Sequence, residues 1–176
     1  PSFPASQSSI PALEPDFAAL AALCRQEERP MKAGRVKGAV LTGEDLSGLS
    51  VSGMVFEAAG FSLPAGRRIL YGCAFSRMRP VQFHLFRCFF QRIRFCSCKG
   101  IGAVFSESRL RQVTIERSLL SFANFDGAKG QGMRIQSSRL DGASLTQCEL
   151  KAVSLEEVDF TGANFFIRPL PVWILP

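Results

Sequence analysis

The residues of this chain that could bind a metal or form a disulfide are six cysteines and a single histidine, His84. Cys96-Ser97-Cys98 places two thiols close enough in the sequence to suggest zinc ligands. Structural zinc sites take four Cys or His ligands, and one histidine does little to complete such a set. We expect no metal, no cofactor and six reduced thiols. Reduced thiols indicate a reducing compartment: the cytoplasm, or a host cell into which the protein is secreted.

Catalytic side chains do not form a recognisable set in the sequence. One histidine leaves little choice for a Ser/His/Asp arrangement. There is also no glycine-rich phosphate loop and no carboxylate pair that the chain would bring together in a pocket. We predict that this segment is not an enzyme. The chain starts at Pro1 rather than at a methionine, which indicates an excised part of a longer protein whose activity stays open.

Positive charge is the chemistry that recurs along the chain, whose formal net charge is +6. The candidate partner-binding cations are Arg92, Arg94, Arg109, Arg111, Lys129, Arg134 and Lys151. They form either an ordinary solvated face or a docking surface for an acidic partner. Nucleic acid ranks low as a partner, because Phe89 is the only aromatic residue interleaved with these charges and single-strand binders stack bases on several rings.

A five-residue repeat positions these side chains. From Ser118 to Phe165 every fifth residue is large and apolar except Gly130, and the residue two positions before it is small or slender. The central positions are Leu120, Phe125, Gly130, Ile135, Leu140, Leu145, Leu150, Leu155, Phe160 and Phe165. A five-residue step would spiral around an α-helix and would alternate faces in a continuous strand. The chain must therefore turn a corner in every repeat, with successive coils stacked about 4.8 Å apart.

The motif A-[DN]-[LF]-x-x occurs as Ala123-Asn124-Phe125-Asp126-Gly127 and again as Ala163-Asn164-Phe165. It resembles the repeat of the pentapeptide-repeat family. The resemblance implies an all-β fold, a right-handed quadrilateral β-helix with four quintets in each coil. Residues twenty positions apart would then form inward columns: Phe75, Phe95, Ile115, Ile135 and Leu155 in one, and Leu85, Phe105, Phe125, Leu145 and Phe165 in another. The small inward positions include Cys73, Cys88, Cys98 and Cys148, which we expect to be buried thiols.

The resemblance also frames the function. It implies a non-catalytic protein-protein interaction or scaffold module, within a larger bacterial protein such as a secreted virulence effector. One alternative is the substrate-recruiting β-helix of a HECT-like ubiquitin-ligase effector. Another is a gyrase-binding protein that mimics DNA, which the basic charge disfavours because DNA mimics are acidic. The expected partner is a protein, with an acidic surface if the cations are used.

The predicted organisation has four parts. Residues 1–14 form a linker or disordered start, and residues 15–35 a short capping helix and connector. Residues 36–167 form the β-helix, interrupted by four extra residues from Pro64 to Arg67 that we expect to bulge as a surface loop. Residues 168–176 form an apolar cap or a link to a following domain, so the chain is a monomer or a dimer through this end. No apolar run is long enough to span a membrane.

Two phenylalanines fall where the repeat is weakest, between Met78 and Gly102. Phe86 and Phe89 stand beside the central residues Leu85 and Phe90, so the spacing predicts that they face outward and form an apolar partner-binding patch. The alternative is that Pro80 disturbs the backbone and turns both rings inward. The sequence leaves the two alternatives open.

Overall fold

The structure is a computed structural model that describes residues 23–24, 26–37, 40–42, 50–57, 60–62, 69–78 and 85–166. Sixteen short strands run through these ranges. They are β1 (Met31–Lys37), β2 (Val40–Thr42), β3 (Ser50–Glu57), β4 (Gly60–Ser62), β5 (Ile69–Tyr71), β6 (Ala74–Ser76), β7 (Phe89–Gln91), β8 (Arg94–Cys96), β9 (Arg109–Arg111), β10 (Thr114–Glu116), β11 (Lys129–Gln131), β12 (Arg134–Arg139), β13 (Ser144–Thr146), β14 (Glu149–Lys151), β15 (Ser154–Asp159) and β16 (Asn164–Phe166).

The three-residue strands β6 to β11, and β13, each bury the middle residue and turn the two flanking residues outward. In β9, for example, Leu110 is buried between exposed Arg109 and Arg111. The residue after the strand turns the corner with a left-handed backbone, as at Arg92 (φ 54°) and Ser97 (φ 53°). Glycine adopts this conformation without strain, and Gly132 (φ 65°) takes the same corner two coils after Arg92. The five-residue repeat is therefore one short strand plus one corner.

All strand pairs are parallel, and nearly all join residues twenty positions apart. Phe95 pairs with Phe75 and with Ile115, and Leu110 pairs with Phe90 and with Gly130. Four such series run along the coil. Side 1 contains β5, β7, β9, β11 and β14, and side 2 contains β6, β8, β10, β12 and β15. Bridges at Lys99, Leu119 and Arg139 form side 3, and bridges at Val104 and Asn124 lead into β13 and β16 on side 4. The predicted four-sided β-helix is confirmed.

The two predicted inward columns are confirmed by pairing, and by burial up to Ile135 and Leu145, whereas their last members, Leu155 and Phe165, are about half exposed. The rings of Phe56, Phe75 and Phe95 stack with centroids 4.9 Å apart, and Phe105 stacks on Phe125 at 4.8 Å. These distances match the spacing between coils, so each ring lies on the ring of the coil below. Full burial of one such side chain contributes about 1.5–3 kcal/mol to folding. The two columns therefore contribute substantially to the stability of the fold.

The cysteines occupy the positions that the repeat predicts. Cys73, Cys88, Cys98 and Cys148 are at most 2% exposed, and Cys96 points outward. All six cysteines are free thiols. Burial raises the pKa of Cys73, Cys98 and Cys148 to about 11, although backbone hydrogen bonds partly oppose it. Four of the thiols therefore serve as small apolar groups of the core.

The prediction of a four-residue loop between Pro64 and Arg67 is wrong. Met31 pairs with Val51 twenty positions later, but Val51 pairs with Leu70, only nineteen positions later. This coil is therefore one residue shorter than the usual twenty, rather than four residues longer. An insertion of four residues and a deletion of one residue shift a five-residue repeat to the same phase. The sequence alone therefore could not distinguish an insertion from a deletion. Residues 63–68 themselves lie outside the described ranges.

The first strand begins earlier than the predicted start of the β-helix at residue 36. β1 starts at Met31, inside the segment assigned to the connector, and pairs with β3 along its length. Before it, Leu23, Cys24 and Gln26 are helical, and the amide of Glu27 donates to the carbonyl of Leu23 at 3.0 Å. The rest of the predicted capping helix, residues 1–14 and residues 168–176 lie outside the described residues. Within the described ranges, no helical segment has the length and hydropathy of a membrane span.

A polar network joins two coils on side 4. One carboxylate oxygen of Asp126 accepts from the hydroxyls of Ser144 at 2.6 Å and Thr146 at 2.7 Å, and from the Thr146 amide at 2.9 Å. Partial burial alone would raise the pKa of Asp126, but the hydrogen bonds from Ser144 and Thr146 outweigh it, so the pKa lies below its ordinary value. The ionised carboxylate therefore stabilises the fold.

Truncation of Phe125 should be far more destabilising than truncation of Phe122, three residues earlier. Phe125 is 4% exposed in the core and Phe122 is 66% exposed on a corner. We expect Phe125→Ala to lower the free energy of unfolding by about 3–5 kcal/mol and Phe122→Ala by about 0.5 kcal/mol, measured by denaturant unfolding. Equal losses would contradict the inward column.

Replacement of Asp126 by Asn should make the stability less dependent on pH. A depressed pKa in the folded state stabilises the protein above the pKa of the unfolded chain, near 3.9 for Asp, and this contribution disappears as the pH falls through the folded-state pKa. Asp126→Asn should therefore melt at a lower temperature than wild type at neutral pH, with the gap closing below about pH 4. A gap that is constant with pH would show that the charge is not involved.

Candidate functional site

Side 1 carries two outward columns on either side of its buried central residues. One column contains Phe89, Arg109, Lys129 and Glu149, which are paired in register in β7, β9, β11 and β14. The other contains Tyr71, Gln91, Arg111, Gln131 and Lys151. Coil stacking sets the rungs about 4.8 Å apart. Four of the seven predicted cations, Arg109, Arg111, Lys129 and Lys151, thus share one flat face.

The corner between sides 1 and 2 adds Arg92, which is already engaged. Its guanidinium lies 4.6 Å from the ring centroid of Tyr71, a residue of the preceding coil. This is the distance of a cation–π contact, which holds the side chain against the face. Arg92 is therefore partly buried and less accessible to a partner than its position in the sequence suggested.

The first column of side 2 holds the two remaining predicted cations. Arg94 and Arg134 lie in register with Thr114 between them. A guanidinium nitrogen of Arg94 lies 2.7 Å from a carboxylate oxygen of Glu116, so Arg94 is partly neutralised, whereas Arg134 is exposed. Lys129 on side 1 is similarly paired, with its Nζ 2.9 Å from Glu149.

Five of the seven predicted cations have no acidic partner within the part of the chain that the structure describes; one of them, Arg92, lies against Tyr71, and the other four are exposed. We call these four the cationic patch: Arg109, Arg111, Arg134 and Lys151. Their in-register neighbours along the coil axis include Gln91, Gln131, Thr114 and Ser154, which are uncharged. The patch therefore keeps its full positive charge.

Most arginines on the other sides face acids. Arg87 pairs with Glu107 at 2.6 Å on side 4, and Arg139 lies 3.4 Å from Asp141 and 3.6 Å from Asp159 on side 3. Each of these acids is either twenty positions later in the sequence or on the same rung. Positive charge is thus largely compensated there, while side 1 and its corner with side 2 retain the excess.

The two predicted phenylalanines lie on either side of the corner between sides 4 and 1. Phe89 begins β7 on side 1 and is partly buried beside Arg109. Phe86 precedes the corner, at the end of side 4, and the guanidinium of Arg87 lies 4.8 Å from its ring centroid. Both rings are partly buried, which is intermediate between the outward and inward alternatives. Only Phe89 borders the cationic patch.

Sequence reasoning missed an exposed aromatic residue on the corner between sides 3 and 4. Phe122 is 66% exposed and has a left-handed backbone, φ 58°. The same corner in other coils is Gly102, Gly142 or Gly162, so a phenylalanine in a glycine position was the available signal. A Cβ placed on Gly142 would lie 2.5 Å from the Phe122 ring, so the ring covers that glycine.

The described residues offer charge and shape rather than bond-making chemistry. Among them, no group of three or more His, Cys, Asp or Glu side chains is placed to hold a metal ion. The interior is filled with apolar side chains. What the surface presents is uncompensated positive charge along a flat, hydrogen-bonded face.

Comparison with known proteins agrees with this architecture. The family model "Pentapeptide repeats (8 copies)" matches residues 134–165. Comparison with curated protein sequences gives no significant match.

Solved structures resemble the chain at low identity. A trypsin-treated form of QnrB1, a plasmid-mediated fluoroquinolone resistance protein, has a TM-score of 0.39 at 9% identity, covering 73% of each chain. HetL, a pentapeptide repeat protein involved in heterocyst differentiation regulation from the cyanobacterium Nostoc sp. strain PCC 7120, has a TM-score of 0.36 at 18% identity, covering 78% of this chain and 85% of HetL.

The strand register of the chain itself defines the four-sided coil. That register repeats every five residues through the matched segment and extends upstream of it. Residues 134–165 thus match the pentapeptide-repeat model, and the described residues fold as a four-sided β-helix.

Proposed function

We propose that this chain is a non-catalytic protein-interaction module that docks an acidic surface of a partner protein onto the cationic patch. The observation that carries the proposal is the exposure of four cations without acidic partners among the described residues, on one flat face and its corner. Pentapeptide-repeat proteins are generally structural or interaction modules. The family match gives no support to an effector or ubiquitin-ligase role, so the proposal does not include one.

The rigidity of side 1 favours docking. Its strands are hydrogen-bonded to the coil on either side, for instance from the amide of Arg109 to the carbonyl of Cys88 at 2.9 Å and from Gln112 to Gln131 at 2.8 Å. The charged side chains therefore start from a backbone that needs no ordering on association. Such preorganisation lowers the entropic cost of binding.

The energetics favour an effect on association rate. An exposed ion pair contributes only about 0.2–1 kcal/mol, and salt screens charges beyond about 8 Å at physiological ionic strength. Several uncompensated charges of one sign do, however, steer an acidic partner toward the face and raise the rate of encounter. The patch should therefore set orientation and rate, while apolar contacts, for example to Phe89, would slow dissociation.

A protein partner fits the face better than a single-stranded nucleic acid does. Nucleic-acid binders without sequence preference interleave cations with rings that are free to stack on bases. On side 1 the ring of Tyr71 is covered by Arg92, and Phe89 is partly buried. The face therefore offers charge without a platform for bases.

Reversal of two charges in the patch should weaken binding of an acidic probe without unfolding the protein. Arg111→Glu with Arg134→Glu creates no like-charge contact along the columns, because the in-register neighbours are Gln91, Gln131, Thr114 and Ser154. With a poly-glutamate peptide at low salt, we expect association to slow by about tenfold or more, measured by biolayer interferometry. The melting temperature should stay near that of wild type.

The matched control makes the same change of net charge away from the patch. Lys32→Glu with Lys99→Glu alters two exposed lysines on β1 and side 3, whose in-register neighbours Ser52 and Leu119 are uncharged. The control should bind the peptide nearly as fast as wild type. Equal slowing in both double variants would mean that only net charge matters, and tighter binding of single-stranded DNA than of the peptide would replace the protein partner by a nucleic acid.

A further inference from the structure

The last coil exposes side chains that are buried in every earlier coil. Leu155 and Phe165, the final members of the two inward columns, are 53% and 47% exposed, whereas Ile135 and Leu145 directly below them are 4% and 6% exposed. Val153, Val158, Phe160 and Ala163 are only partly buried against the core. The C-terminal end of the solenoid therefore presents an apolar cross-section.

This end face also contains a hollow. Its lining is apolar throughout and includes Met133, Cys148, Leu150, Leu155 and Phe165. Two of the lining side chains, Met133 and Leu150, pack over Gly130, which occupies a central position that is Leu, Ile or Phe in neighbouring repeats. A Cβ on Gly130 would lie 2.5 Å from Met133 Sδ and 2.8 Å from Leu150 Cδ2, so these two side chains lean into the vacated space. The end face can thus accept inserted side chains as well as be covered.

We propose that residues 167–176 fold back across the last coil and insert apolar side chains into this hollow. Strand β16 ends at Phe166, next to the column residue Phe165. Ten residues follow in the sequence, Ile-Arg-Pro-Leu-Pro-Val-Trp-Ile-Leu-Pro. Ten extended residues reach about 33 Å, whereas one five-residue side of the coil spans about 16 Å. The segment is therefore long enough to cross the end face and return.

Residues 167–176 are rich in apolar side chains, as is the end face that they would cover. Leu170, Val172, Trp173, Ile174 and Leu175 are apolar, and the segment contains no acidic residue. Each Å² of apolar surface removed from water contributes roughly 25 cal/mol, and both partners of this contact otherwise expose such surface. Tethering also favours the segment over a second copy of the chain, because a short linker gives an effective concentration in the millimolar range.

The prolines of the segment are suited to a second feature of the last coil, its open strand edges. Strands β14, β15 and β16 have no following coil among the described residues, so one edge of each is open to pairing with another chain. Pro169 and Pro171 stand at alternate positions and lack amide donors. A segment laid along this edge would therefore not offer a continuous template to a further strand. The segment would cover the core and end the sheet at the same time.

Fluorescence of Trp173, the single tryptophan of the chain, tests the proposal directly. We expect its emission to be blue-shifted from that of the guanidinium-unfolded protein, protected from acrylamide, and independent of protein concentration. Leu155→Asp on the end face should shift the emission to the red and increase quenching. Ile101→Asp, at a site that is 50% exposed on side 3, is the matched control and should leave both unchanged.

A truncation after Phe166 keeps the test decisive if Leu155→Asp fails to fold. We expect the truncated chain to retain its β circular dichroism, to melt at a lower temperature and to bind a hydrophobic dye such as ANS more strongly than the full chain. Solvent-exposed Trp173 emission in the full chain would overturn the proposal. A blue shift that appears only as the protein dimerises would also overturn it, because a second copy would then be the occupant.

Discussion

The structure depends on one constraint: one residue in every five enters the core directly above the equivalent residue of the coil below, and in most repeats this residue is large and apolar. The stacked rings of Phe56, Phe75 and Phe95, with centroids 4.9 Å apart, express this constraint most plainly. Because the inward position is fixed, the corners and the parallel pairing of each coil with the next are fixed too. When one residue is missing, as between Val51 and Leu70, the chain keeps the stacking and shortens the coil.

The same constraint determines the outer surface. Residues twenty positions apart are held on adjacent rungs, so each outward column is a list of neighbours that can be read from the sequence. A cation is neutralised when an acid falls on a neighbouring rung, as Glu149 does for Lys129. It stays available when the neighbours are Gln, Thr or Ser, as for Arg111 and Arg134. The excess charge of side 1 is therefore a consequence of register, and it is what the proposed docking function uses.

Much of this could be predicted from the sequence because the period is short and the central residues are large. Both inward columns, the buried cysteines and the clustering of cations on neighbouring columns followed from counting in fives. The start of β1 could not be predicted in this way, since Lys32, Gly34 and Arg35 make the five-residue repeat unrecognisable in that segment. Which cations remain available also escaped prediction, because the Arg94–Glu116 pair joins residues twenty-two positions apart, across a diagonal that simple column counting does not consider.

The most direct test of the account is a cross-link between adjacent coils made with one substitution. Glu116 pairs in register with the outward-facing Cys96, so Glu116→Cys should place two thiols on neighbouring rungs, within the Cα separation of about 4.4–6.8 Å that a disulfide needs. Thr114→Cys, two positions earlier on the same strand and also pointing outward, is the control and should lie too far from Cys96. Under mild oxidation, the account predicts an intramolecular disulfide in Glu116→Cys and none in Thr114→Cys, detected by non-reducing mass spectrometry of tryptic fragments. Equal cross-linking in both variants, or cross-linking in Thr114→Cys alone, would contradict the twenty-residue coil.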